Sequence, residues 1–125
     1  MDVGENNVKK FNLEDRTFDF ANNCKEFLKK IERNIHNIEF YKQLIRSSGS
    51  VAANFIEANE SFSRNDFSHR IKICRKEAKE SRLWLRLIDI NEQQLSATRD
   101  ALIQETIELT KIFGAMLEKI KNTNP

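Results

Sequence analysis

The chain has 125 residues, of which 39% are hydrophobic and 32% charged, with 21 basic against 19 acidic groups and a formal net charge of +2. That length is one ordinary domain, large enough to bury a core without metal or disulfide staples. Three glycines and a single proline, the last residue, are too few breakers for a sandwich or barrel. No apolar run reaches the ~18 residues a membrane span needs, and the mean hydropathy is −0.62. The opening MDVGENNVKKF lacks the apolar stretch of a signal peptide, so the expected address is the cytoplasm. Cys24 and Cys74 are too few for a disulfide framework, and cytosolic thiols stay reduced.

Residues 1–12 are polar, carry Gly4 and three asparagines, and read as a flexible N-terminal segment. The first helix is expected from about Glu14 to Arg33, with Phe20, Cys24, Phe27, Ile31 and Ile35 recurring at helical spacing. Asparagines around His36 mark a short connection. The second helix is expected from about Asn37 to Asn59, with Tyr41, Leu44, Ser48, Val51, Phe55 and Ala58 as its inner stripe. In its middle Ser47, Ser48, Gly49, Ser50, Ala52 and Ala53 form a small-residue cluster, read as a place where another helix comes close. Ser63 with Asp66 has capping-box spacing and starts a third helix that runs to about Asp89. Its stripe is Phe67, Ile71, Cys74, Ala78, Ser81, Leu85 and Ile88. Residues 91–95 read as a polar loop, and Ser96 as the cap of a fourth helix bearing Leu102, Leu109, Phe113, Met116 and Ile120, with Ile103, Ile107 and Leu117 as a second stripe. Residues 122–125 read as a flexible tail, so the domain spans residues 13–121. Short links between amphipathic helices predict an all-α, antiparallel, up-down-up-down four-helix bundle.

Charge is concentrated on the third helix. Residues 63–91 hold eight basic and four acidic groups, while the segments on either side are slightly acidic. At ~100° per residue from Phe67, Arg64, Lys72, Arg75, Lys76, Lys79, Arg82 and Arg86 fall on one flank. Asp66, Ile73, Glu77, Glu80, Trp84 and Leu87 fall on the other. The basic flank has three readings: a solvated surface, a contact for RNA or DNA phosphates, or a protein contact. No aromatic is interleaved with it to stack on bases. Ile73, Trp84 and Leu87, with Glu77 and Glu80 beside them, read as an intersubunit patch. A basic flank on one side and an acidic one on the other suits a head-to-tail ring.

Catalytic motifs are absent: no glycine-rich phosphate loop, GxSxG, HExxH or CxxC is present. No paired Glu-x-x-His occurs for a di-iron site, so no metal and no cofactor are expected, and no small-molecule substrate is evident. His36 and His69 read as surface residues and Cys74 as a buried thiol. Asn54 and Glu57 are expected in a buried polar network with Arg75 or Lys79.

The stretch KQLIRSSGSVAANFIEANESFSRNDFSHRIKICRKEAKESRLWLRLI, Lys42 to Ile88, carries a resemblance. Through Gln43-Leu44, Arg46 to Ser50, Ala53-Asn54, Glu57-Ala58, Ser63, Asp66-Phe67, Ile73, Ala78, Glu80 and Leu85 it resembles the bacterial 23S rRNA intervening-sequence protein family. The resemblance implies a four-helix bundle, commonly assembled as a homopentameric ring. It also implies a relation to the basic pentameric accessory protein of diversity-generating retroelements, which works with reverse transcriptase and nucleic acid. The family name records where the genes lie. No catalytic residues are known for the family, so a non-enzymatic role is expected, with a purely structural or protein-interaction scaffold as the alternative.

Overall fold

In the computed structural model the described residues are 12–123, and the expected flexible ends fall outside them except for Asn12, Asn122 and Thr123. Among the described residues four helices form: α1 Leu13–Lys29, α2 Ile35–Asn59, α3 Arg64–Leu87 and α4 Gln93–Asn122. Among the described residues there is no strand. The fold is all-α, with each helix packed on its chain neighbour and α1 also packed on α4.

Asparagine and serine set the helix starts. The Asn12 side chain accepts from the Glu14 and Asp15 amides, Asn34 from His36 and Asn37, and Ser63 from Asp66, each supplying an orphan donor with its acceptor. Only the Ser63 cap was expected. Asn34 moves the start of α2 forward, and α1 stops at Lys29, short of Arg33. The phase of the first stripe therefore ends at Ile31, which stays 5% exposed, and Ile35 falls outside it at 79%. The fourth helix likewise starts earlier than Ser96: it begins at Gln93, with no side-chain cap from Glu92, because Leu95 anchors its first turn in the core at 6% exposure.

The core runs from Phe20, Cys24, Phe27 and Leu28 of α1 through Leu44, Val51, Phe55 and Ala58 of α2. It continues through Ile71, Cys74, Ala78 and Leu85 of α3 to Leu102, Leu109 and Phe113 of α4. Across α2 and α3 the pairings descend one helix as they climb the other. Ser47 Oγ lies 2.7 Å from Ser81 Oγ, the Cys74 thiol donates to the Val51 carbonyl at 3.5 Å, and Arg70 donates to Asn54 at 2.9 Å. The close approach expected of the small-residue cluster is therefore made by Ser47 and Ser48, which are buried. Gly49 does not take part: a Cβ added there meets nothing within 4 Å.

Buried Asn37 joins the two connections at one end of the molecule. Its Nδ2 donates to the Glu32 and Asp89 carbonyls at 3.0 Å each, and its Oδ1 accepts from the Asp89 amide at 2.9 Å. Ala78 is 0% exposed between helices, so Ala78→Leu should overpack the core and cost about 1–3 kcal/mol in denaturant unfolding. Half-buried Ser68 on the same helix should accept alanine with a much smaller loss. Equal losses at the two positions contradict this packing.

Candidate nucleic-acid interface

The two flanks of α3 meet different fates. The acidic one is absorbed into the protomer along the seam with α2. Arg46 bridges it, with Nη1 3.1 Å from Glu77 and Nη2 2.8 Å from Glu80. Ser50 Oγ donates to the same Glu77 oxygen at 3.3 Å, Asn54 Nδ2 donates to Ser50 Oγ at 2.9 Å, and Arg70 closes the chain on the Asn54 side-chain oxygen. Glu77 is 7% exposed, and its bond to Arg46 is the leading cause that raises the Arg46 pKa. This is the polar network expected around Asn54, with different members. Arg70 replaces Arg75 and Lys79 because it sits on the α2 side of α3, and the Glu57 side chain takes no part.

Trp84, expected at an intersubunit patch, is half-buried and stacks on Phe40, with ring centroids 6.2 Å apart and planes 23° from parallel. Its indole N–H is buried, with no acceptor among the described residues. Ile73 is half-buried, and Leu87 remains 44% exposed.

The basic flank stays outside. Lys72, Lys76, Lys79, Arg82 and Arg86 are exposed, as is Arg64, and Arg75 is half-buried. Among the described residues none of Lys72, Arg75, Lys76, Lys79, Arg82 and Arg86 forms an ion pair, whereas Arg16 and Arg46 each hold two glutamates. The first turns of α3 and the last turns of α4 enclose a groove of about 310 Å³, lined by Arg64, Ser68, Lys72, Arg75, Lys121 and one acid, Glu118. Gly114 of α4 faces Arg75: a Cβ there would stand 3.9 Å from Nη1. Lys121 is the member that sequence reading missed, because a wheel drawn on one helix does not show what its neighbour brings alongside.

The family model of the 23S rRNA-intervening sequence proteins matches residues 9–115. The chain belongs to that family. A crystal structure at 1.70 Å of a protein of unknown function from the S23 ribosomal protein family of Bacteroides thetaiotaomicron VPI-5482 is similar to this family member. It superposes with a TM-score of 0.70 over 83% of this chain and 96% of that one, at 24% identity, and the likeness is one of fold. No curated protein matches.

Among the described residues of this 23S rRNA-intervening sequence protein no helix is long and apolar enough to cross a membrane. Among its described residues no group of three or more His, Cys, Asp and Glu is placed to hold a metal ion. Its thiols are inert by burial: desolvation pushes both Cys24 and Cys74 up to about 12. At pH 8 only about one thiol in ten thousand is then ionised. An alkylating reagent should therefore leave both cysteines unmodified in the native protein and label both in denaturant. Rapid native labelling would contradict the burial.

Proposed function

We propose that this protein is a non-enzymatic, self-assembling helical protein that takes the phosphates of RNA or DNA on the basic face of α3. The observation that carries the reading is the contrast between the two flanks. The glutamates of α3 are paired inside the protomer, while six cations of the same helix have no carboxylate partner among the described residues. A row of unpaired cations releases counterions when phosphates replace them, giving affinity without base readout. The groove at the start of α3 adds Lys121 to the row and gives one phosphate a concave seat. With no exposed aromatic in the row to stack on bases, binding is set by the backbone.

The reading includes an up-down-up-down antiparallel arrangement of the four helices, a cytoplasmic address and a homopentameric ring. The ring rests on the family resemblance and on Leu87, which is left exposed at the end of α3. Light scattering should report a mass several times 14.7 kDa, five-fold for the ring. A monomer at micromolar concentration overturns the assembly. A ring repeats the basic row in every subunit, so modest net charge yields avidity.

The test is retention of labelled RNA and DNA of mixed sequence at ~50 mM salt and its loss as salt rises. Binding that is steep in salt and indifferent to sequence supports the reading. No retention at low salt hands the basic flank to subunit packing or solubility and leaves the scaffold role.

A further inference from the structure

The outward face of α2 is apolar and has no partner among the described residues. Ile38, Ile45 and Ile56 are 40%, 40% and 46% exposed, and they lie with Lys42, Gly49 and Ala52 along one helical line. Phe62, just beyond the helix, is fully exposed. Gly49 sits mid-helix in a helical backbone conformation, and nothing among the described residues needs the missing side chain. A glycine there weakens the helix relative to alanine, so its benefit lies outside the protomer.

The line also reads the same in both directions. Ile45, Gly49, Ala52 and Ile56 are spaced four, three and four apart, so a second α2 running the opposite way sets Ile45 against Ile56 and Gly49 against Ala52. The same register brings Ile38 beside Phe62, and Lys42 beside Asn59 and Glu60 at both ends. A two-fold contact requires such self-complementarity, of shape and of charge together. Small residues at the centre let the two backbones approach closely.

We propose that the outer face of α2 is a two-fold contact with α2 of a second copy of this chain, centred between Gly49 and Ala52. It is separate from the head-to-tail contact of the proposed ring and joins two rings, or two protomers if no ring forms.

Light scattering on the full chain and on Gly49→Glu tests it. The open position lets Gly49→Glu keep its helicity and melting temperature, while the assembly mass falls to half of the wild-type value. A wild-type mass of twice 14.7 kDa falling to 14.7 kDa keeps this contact and removes the ring. A wild-type mass unchanged by Gly49→Glu overturns this contact and leaves the ring standing. A charge swap gives the second arm. Lys42→Glu should weaken the pairing about tenfold, and Lys42→Glu with Glu60→Lys on the same chain should restore it. Within one protomer Lys42 pairs with Glu39 at 3.6 Å, a contact that the single and the double variant alike turn into a like-charge pair, so rescue can come only from the second copy. A double variant that stays as weak as Lys42→Glu overturns the proposal.

Discussion

Changing Lys72, Lys76 and Lys79 to glutamine should flatten the salt dependence of nucleic-acid binding and leave helicity and assembly mass unchanged. The three side chains are exposed and hold no carboxylate, so glutamine keeps the stem and removes only the charge. Each phosphate they neutralise contributes about −0.9 to the slope of log affinity against log salt on duplex DNA and about −0.7 on a single strand. For one subunit in contact, the slope should therefore change by about 2.7 on duplex and about 2.1 on single strands. Between ~50 and ~200 mM salt the wild type should lose about 40-fold more duplex affinity than the variant. Titrations at four salt concentrations read this directly. Lysines are the informative choice because Arg75 and Arg82 lie nearer the α4 side of the row, where their loss mixes binding with packing. Parallel lines for the two proteins contradict a phosphate contact on this face.

Asn37 is the position where one polar side chain should matter most to stability. It is 1% exposed and supplies three hydrogen bonds to the backbone of two different connections. Alanine leaves two carbonyls and one amide without that partner, and although Glu32 and Asp89 are exposed the bonds themselves are partly buried, so water replaces them only in part. A cost of about 2–3 kcal/mol follows, and a melting point lowered by roughly 10 °C or more in a domain of this size. Asn37→Asp should be worse than alanine at neutral pH. It keeps the shape, replaces the donating amide by a carboxylate, and points that charge at two carbonyl oxygens. Thermal melts at pH 7 rank the three proteins, and an aspartate variant as stable as wild type contradicts the bonding.

The helices were legible in the sequence because their apolar residues repeat at one period and their caps are local. The stripe of α3 from Ile71 to Ile88 lies in the core as the spacing predicts, and Ser63 caps it where expected. What the sequence hid is tertiary. Ile35 keeps the spacing of the first stripe, yet the helix has already ended at Lys29, and periodicity carries no signal for a break set by Asn34 one turn later. Glu77 reads as part of an intersubunit patch because a single wheel shows no neighbour, while Arg46 of α2 in the same protomer pairs with it. Arg70, the one basic residue of α3 that lies off the basic flank, completes the network with Asn54. The basic row was readable for the opposite reason: among the described residues Lys72, Arg75, Lys76, Lys79, Arg82 and Arg86 meet no carboxylate, so composition on one helix face was enough. The family resemblance was equally local, carried by residues along the α2–α3 seam, where Arg46, Ser50, Asn54, Glu80 and Ala78 are held by their contacts.

The stacked pair of Trp84 and Phe40 gives the molecule a built-in optical reporter. Trp84 is the single tryptophan, so all indole emission comes from the seam between α2 and α3. Its ring nitrogen is buried with no acceptor among the described residues, which places the native emission toward the blue and lets it move red as the seam wets. Circular dichroism, by contrast, averages over all four helices. Superimposable denaturation curves from the two signals mean that the seam and the whole fold open together. A fluorescence change that comes first means that α2 and α3 part while the other helices persist, and that ordering is read without any label.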